Sequence, residues 1–293
     1  MPREREGCSM QKRRYGSTDE LLSIIGFGGI VVSNVTDADA ERYVSEALDA
    51  GVNYFDVAPT YANAQQKLGT ALKGRRDKVF LACKTEKRDA AQATKALEES
   101  LECLGTETLD LYQFHSVSTL ADVDRIFAPG GAMQVMEKAR RDGKIKYIGF
   151  SSHLEEAALR MLDLFAFDSL IFPVNWLAMH RTGMGERILK KAVGRGIAVT
   201  AIKAMAWTLW PASLPREERP YPKCWYKPLD DENLADMALR YTLSKPVMSA
   251  IPPGDIRLFR QALKTAADMK PLTQTELALL KQASQEEQPI FPA

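Results

Sequence analysis

Four side chains of this sequence have the chemistry to move a proton together: Asp56, Tyr61, Lys84 and His115. A tyrosine hydroxyl titrates near ~10 and is a poor acid at neutral pH. An ammonium beside it favours the phenolate and lowers that value. Lys84 can play this part. Asp56 closes an apolar stretch, and a lone buried carboxylate is expensive unless it is paired. Pairing with Lys84 would hold the lysine charged and oriented. His115 can donate to a carbonyl oxygen and set its angle. The four groups would then polarise C=O and deliver a proton while hydride arrives from elsewhere. No side chain donates hydride, so a nicotinamide cofactor is implied.

Each residue also has a plainer role. A carboxylate at a strand end often caps a loop, and a lysine after a strand usually points to water. A tyrosine in a loop packs, and a histidine is often a satisfied core group. The weight lies in their joint placement at the ends of adjacent strands.

Strands are expected at 21–30, 52–55, 79–83, 109–114, 145–150, 169–172, 197–202 and 247–251. Helical patterns follow at 37–50, 64–72, 89–104, 120–142, 154–164, 184–194, 231–243 and 256–267. The helix at 120–142 is interrupted around Pro129-Gly130-Gly131. Regular strand–helix alternation argues for a parallel sheet with helices outside it. Eight units in this length fit a closed (β/α)8 barrel, a TIM barrel, as a single domain. An open doubly wound sheet is the alternative, but no G-x-G-x-x-G turn joins a strand to a helix. In a barrel the loops after the strands build the active face. Asp56 and Tyr61 follow strand two, Lys84 strand three and His115 strand four.

Residues 1–14 are charged and read as a loose tail, and 15–293 as the barrel domain. Residues 207–230 form a long connection, which in a compact domain is usually functional or disordered. Residues 271–293 form a C-terminal segment with one helix at 273–284 and an apolar end expected to dock on the barrel surface.

Composition narrows the classes. Thirty-nine basic and 38 acidic residues leave a net charge of +1, so bulk charge points to neither nucleic acid nor membrane. No run of about 18 apolar residues is present to span a bilayer. Four scattered cysteines without a Cys-x-x-Cys pair argue against a disulfide framework and fit a cytoplasmic location. Three histidines make a multi-histidine metal site improbable, and no metal is expected.

Several stretches together resemble the aldo-keto reductase family. Residues 51–61, Gly-Val-Asn-Tyr-Phe-Asp-Val-Ala-Pro-Thr-Tyr, with Gln-Gln-Lys-Leu-Gly at 65–69, resemble its first signature. Residues 79–84 resemble its lysine strand, 109–115 its histidine strand and 143–151 its fifth strand. The resemblance runs from about residue 15 to 267 in unbroken order. It implies a (β/α)8 barrel, usually NADPH with NADH as the other choice, and small aldehydes or ketones as substrates. It also implies that Asp56, Tyr61, Lys84 and His115 are the catalytic tetrad, with Tyr61 as general acid.

The resemblance further implies a cofactor site. Gly28 and Gly29 lie in the closing end of strand one. Ser151 and Ser152 fall where the family holds the nicotinamide amide with Ser-Asn, so Ser152 departs from it. The position near Ile171 is apolar where a glutamine is usual, and Asn175 lies nearby. Ile202 and Lys203 end strand seven. Ile251, Pro253, Gly254 and Arg257, with Arg260, fall on the phosphate-binding segment, where Pro252-Pro253 replaces the usual Lys-Ser. A helix N-terminus there suits phosphate. Ser116-Val117 replaces the family's tryptophan after the histidine. Phe27, Trp176 and Trp207 are candidates to line the substrate pocket, together with Trp210 and Trp225. Two other readings stay open. One is a cofactor-binding regulatory subunit with little turnover. The other is a Schiff-base lyase using Lys84 or Lys203, which needs a neutral, desolvated amine.

Overall fold

Eight short parallel strands carry the chain around a barrel, in a computed structural model that describes residues 10–291. We number them β1 (Phe27–Gly28), β2 (Tyr54–Asp56), β3 (Phe80–Thr85), β4 (Leu109–Phe114), β5 (Ile145–Ser151), β6 (Ser169–Pro173), β7 (Ala198–Ile202) and β8 (Ser249–Ile251). Each pairs with its sequence neighbour in parallel. A further parallel bridge, Ile25 to Ala250, joins the first edge to the last. The Gly26 N–H donates to the Ala250 carbonyl at 3.0 Å, and the Ala250 N–H to the Ile24 carbonyl at 2.8 Å. The ring is thereby closed, and the (β/α)8 expectation stands.

Two cores follow from the period-two alternation of strand side chains. Inside the barrel, Tyr54, Phe80, Ala82, Leu111, Ile171, Ala198, Met248 and Ile251 pack together. Their alternate neighbours, such as Phe55, Leu81 and Tyr112, face the helices in the larger outer core. Strands buried on both faces read as continuous apolar runs, which is why 52–55 and 79–83 are legible in the sequence. Capping sets the helix starts. The side chains of Thr36, Asp89, Thr119 and Asp231 each accept a first-turn N–H, relieving unpaired donors. Thr273 and Glu276 form a reciprocal capping box. Gly149 is required inside β5, because a Cβ there would meet the Ser169 hydroxyl at 2.5 Å.

Several expectations need correction. The tail does not extend to residue 14. Residues 1–9 lie outside the described residues, but Lys12–Arg14 pairs antiparallel with Leu21–Ser23. This hairpin closes the bottom of the barrel with Tyr15 and Leu22, and Arg13 ties it to the Val247 carbonyl at 2.7 Å. The expected strand 21–30 is therefore divided between the hairpin and β1, followed by a 3-10 turn at Gly29–Val32. An unexpected helix, Trp176–Thr182, follows β6. Within the long connection, Ala206–Leu209 pairs with Tyr226–Pro228 as a second hairpin. Ile290, in the C-terminal segment, buries against Ala206 and Tyr226 of that hairpin, so the chain end packs on the connection.

Among the described residues, no helix is long and apolar enough to cross a membrane.

Candidate active site

Asp56, Lys84 and Gln113 point inward from β2, β3 and β4, one layer above the apolar barrel core. The register explains this: Asp56 pairs with Ala82, and Lys84 with Gln113. The Lys84 ammonium and the Asp56 carboxylate form a buried ion pair through Oδ1. Gln113 Nε2 donates to the other carboxylate oxygen, Oδ2, at 3.0 Å. Burial pushes the Asp56 carboxyl up, while Lys84 and Gln113 oppose that. Burial would pull the Lys84 amine down, but Asp56 and Tyr61 outweigh it and the net direction is up. The Lys84 charge is thus held by its partners.

Tyr61 stands in the loop above this pair. Its ring centroid is 5.4 Å from the Lys84 Nζ and 5.9 Å from the His115 ring, which it meets edge-on at 88°. The expected lowering of its hydroxyl is corrected. Burial pushes the phenol up, and the opposing Lys84 charge only reduces the rise. Tyr61 therefore keeps its proton at neutral pH.

His115 follows β4 and is held at about 3 by burial first and then by the Lys84 charge. Its imidazole is neutral. Nδ1 lies 3.5 Å from the Thr60 hydroxyl and 3.5 Å from Glu86 Oε1, and the Arg88 guanidinium donates to its carbonyl at 2.7 Å. Local backbone strain marks these loops. Ala62 after Tyr61, Ser116 after His115 and Lys203 after Ile202 all adopt left-handed φ, at 50°, 52° and 67°. Such conformations are costly without glycine and concentrate at functional sites.

A cavity of about 210 Å³ opens above the four residues. Asp56, Tyr61, Lys84 and His115 all line it, and so do Gly28, Ser151, Ile202, Lys203, Ile251, Pro253 and Gly254. The structure therefore brings most of the candidate residues to one mouth.

Others lie elsewhere. Gly29 is packed against Val57, where a Cβ would meet Cγ2 at 2.7 Å. The Ser152 hydroxyl is turned away and donates to the Val117 carbonyl at 2.8 Å. Asn175 caps the Trp176–Thr182 helix and donates to the Lys203 and Ala206 carbonyls at 2.8 and 2.9 Å. It is a structural clamp and does not replace the missing glutamine. Arg257 turns from the cavity to hold Asp255 and the Pro220 carbonyl, and Arg260 chelates Glu46 with two bonds of 2.8 Å. The N-terminus of the Ile256–Ala267 helix is capped by Asp255 itself.

The aromatic candidates divide likewise. Phe27 packs on Phe55 and Phe259 in the outer core, and Trp176 is fully buried. Trp207 stacks under Lys227 away from the cavity. Trp225 and Tyr226 supply the aromatic wall instead, and Lys223 pins their loop across the mouth by donating to the Val31 carbonyl at 2.7 Å.

Gln113, His153, Lys223 and Tyr226 are among the site residues that sequence reasoning missed. Strand alternation from Leu111 through Gln113 to His115 was a usable signal for the first. His153 lines the cavity from a loop whose course only the folded chain defines. The lining as a whole suits an anionic ligand, since ammonium groups outnumber carboxylates on it.

Comparison with known proteins gives a consistent answer. A sequence model described as the Aldo/keto reductase family matches residues 24–285. The Bacillus subtilis oxidoreductase YqkF is 24% identical over 97% of this chain and 99% of its own length. An aldo-keto reductase of Mycolicibacterium smegmatis is 30% identical over 64% of this chain and 69% of its own. Among solved structures, the holo form of an aldo-keto reductase from Bacillus halodurans superposes with a TM-score of 0.72. It is 24% identical, and the match covers 96% of this chain and 98% of that one.

Proposed function

The chain belongs to the aldo/keto reductase family, and on that premise we propose that it reduces an aldehyde or ketone to the alcohol, with Tyr61 as the proton donor. The observation that carries this reading is the convergence of Tyr61, Lys84, Asp56 and His115 on one cavity wall. When bound, the nicotinamide supplies hydride to the carbonyl carbon. The residues Gly28, Ser151, Ile202 and the 251–254 segment would hold it. NADPH is the proposed donor, with NADH as its competitor, because Arg257 already carries Asp255.

The protein's own part is proton chemistry. The Tyr61 hydroxyl is protonated at neutral pH, raised by burial, so it is loaded to protonate an alkoxide. As the proton leaves, the Lys84 charge stabilises the phenolate that remains. Asp56 keeps Lys84 ionised and fixed, and Gln113 fixes Asp56. The neutral His115 imidazole offers an N–H toward the carbonyl oxygen without adding charge. Its donor nitrogen is Nε2 when the Thr60 hydroxyl donates to Nδ1. The Lys84–Asp56 pair also disfavours a Schiff base at Lys84, which requires an unprotonated amine. The free thiols of Cys83, Cys103 and Cys224 suit a reducing compartment, and the cytoplasm is the proposed location.

The test is direct. Purified protein should oxidise NADPH in the presence of an aldehyde and ketone panel. Tyr61→Phe should lose about 100-fold or more of that rate, in line with a general acid, while still quenching on cofactor addition. Undiminished turnover by Tyr61→Phe would remove the proton-donor role. Cofactor binding without turnover across the panel would favour the regulatory reading.

A further inference from the structure

Immediately after His115 the backbone turns left-handed, with Ser116 at a φ of 52°. Such a conformation persists only where its surroundings over-determine it. Two neighbours do so here. From β5, Ser151 Oγ accepts the Ser116 N–H at 2.8 Å. From the loop after β3, one guanidinium takes the carbonyls. Arg88 Nη2 donates to the His115 carbonyl at 2.7 Å and to the Ser116 carbonyl at 3.2 Å, and Nη1 donates to the Thr85 carbonyl at 3.4 Å. The Thr85 carbonyl also accepts the His115 N–H at 2.8 Å. Arg88 thus ties the end of β3 to the loop after β4, around the residue that carries the imidazole.

The arginine is itself built in. Its side chain is 7% exposed, and a buried charge is costly unless it is paired and hydrogen-bonded. Asp122 Oδ1, in the first turn of the Leu120–Phe127 helix, lies 3.4 Å from Nε. Arg88 is not part of the cavity lining, so substrate and cofactor do not reach it. Its backbone is anchored too. The Arg88 carbonyl accepts the Ala132 N–H at 2.9 Å, and the Ala90 N–H donates to the Gly130 carbonyl at 2.8 Å. Between them Asp89 bridges Gly131 antiparallel. A Cβ on Gly131 would collide with the Ile126 carbonyl. The Pro129-Gly130-Gly131 interruption is therefore the seat from which Arg88 reaches over the loop.

We propose that Arg88 is a positioning residue for His115: its guanidinium clamps the Thr85, His115 and Ser116 carbonyls, and the Gly130–Ala132 segment holds the clamp in place. Only a planar fork with several donors can take three carbonyls at once. The clamp fixes where the backbone presents the imidazole to the cavity. It also sets charge beside the ring. After burial, Lys84 and His153, Arg88 and then Lys203 help to keep the imidazole neutral, while the Glu86 carboxylate stands 3.5 Å from Nδ1. The kinetic consequence rests on the carbonyl-reduction reading; the clamp on His115 does not.

Arg88→Ala removes the clamp, and Arg88→Lys keeps the charge without the fork. Arg240→Ala is the control for stability alone, since Arg240 is a buried arginine that holds Asp236 and Glu276 away from the cavity. With NADPH and 4-nitrobenzaldehyde, Arg88→Ala should lose about 10- to 100-fold in kcat, the scale of a misplaced catalytic group. NADPH affinity, read by tryptophan fluorescence, should stay within about twofold of wild type. Added guanidinium ion should restore part of the lost rate, and Arg88→Lys should fall between wild type and Arg88→Ala. In NMR spectra the His115 imidazole resonances should move in Arg88→Ala and their midpoint should rise, because one of the charges holding it down is gone. Arg240→Ala should leave them in place.

Folded Arg88→Ala with kcat within about twofold of wild type and unmoved His115 resonances overturns the proposal. So does an equal loss of kcat in Arg240→Ala at matched stability, which would make the effect general. If Arg88→Ala does not fold, Arg88→Lys decides on the same readouts. Wild-type protein that turns over no carbonyl compound removes the reductase reading but not the clamp. The His115 resonances then decide: moved in the Arg88 variants, the clamp stands; unmoved, it falls.

Discussion

Gln113 Nε2 donates to Asp56 Oδ2 at 3.0 Å, taking the carboxylate oxygen that Lys84 leaves over. Both residues are buried inside the barrel. The buried charge pair beneath Tyr61 is therefore a triad, and its third member is a neutral amide. Gln113→Leu should cost about 1–3 kcal/mol by urea unfolding, the usual cost of stranding a buried acceptor. Gln113→Glu should cost more at pH 8 than at pH 5, because it sets a second carboxylate against Asp56. Equal stability of both variants with wild type would show that the amide is incidental.

Lys84→Met leaves Asp56 buried without its cation. Breaking a buried pair from one side typically costs about 3–5 kcal/mol. The pH dependence has a definite sign. Burial already raises the Asp56 carboxyl, and removing Lys84 raises it further. Acid neutralises the stranded group, so the stability deficit against wild type should shrink as pH falls from 8 to 5. Adding Asp56→Asn should recover stability but not turnover. A deficit that grows on acidification would contradict the pairing.

The histidines give a second pH signature. Burial, reinforced by nearby lysine charge, holds His115 at about 3 and His153 at about 4. The unfolded chain takes up protons near the ordinary value of about 6.5, where the folded chain refuses them. The stability they contribute is complete above that value and is lost as pH falls through the folded values. Carbon-resolved NMR of the imidazoles should show neither residue titrating above about pH 5. A midpoint near 6.5 for His115 would place it in water rather than beside Lys84.

The loop across the mouth is tied to the barrel by Lys223 and, through the Pro220 carbonyl, by Arg257. Lys223 reaches the Val31 carbonyl at 2.7 Å across 192 residues of sequence, and Trp210 Nε1 donates to the Cys224 carbonyl at 2.9 Å within the loop. Lys223→Met should release the first of these, at a cost of about 1 kcal/mol. The expected readout is faster amide exchange at 210–226, with the barrel strands unchanged. Unaltered exchange there would show that Arg257, Ile290 and the hairpin hold the loop without Lys223.

What could be read without coordinates was set by local physics. Strands β2 to β4 are short apolar runs ending in Asp56, Lys84 and His115, and alternation with helices dictates their parallel order. From that order alone the three strand ends must be neighbours, and Tyr61 follows in the next loop. What remained hidden depends on which way side chains turn after long-range closure. Arg257 and Asn175 sit at suitable positions in the chain, yet one is drawn off by Asp255 and the other is used to clamp Lys203 and Ala206. Phe27 and Trp176 are aromatic near the mouth, yet alternation turns Phe27 to the helices and a helix start buries Trp176. Tyr226 reaches the site only because its loop folds over it, and Phe291 meets His153 only because the chain end does. The direction of the Tyr61 shift was also beyond the sequence, since spacing reveals the ammonium but not the burial that outweighs it. Strand order decided where the tetrad sits, and only tertiary packing decided its charge balance and what faces it.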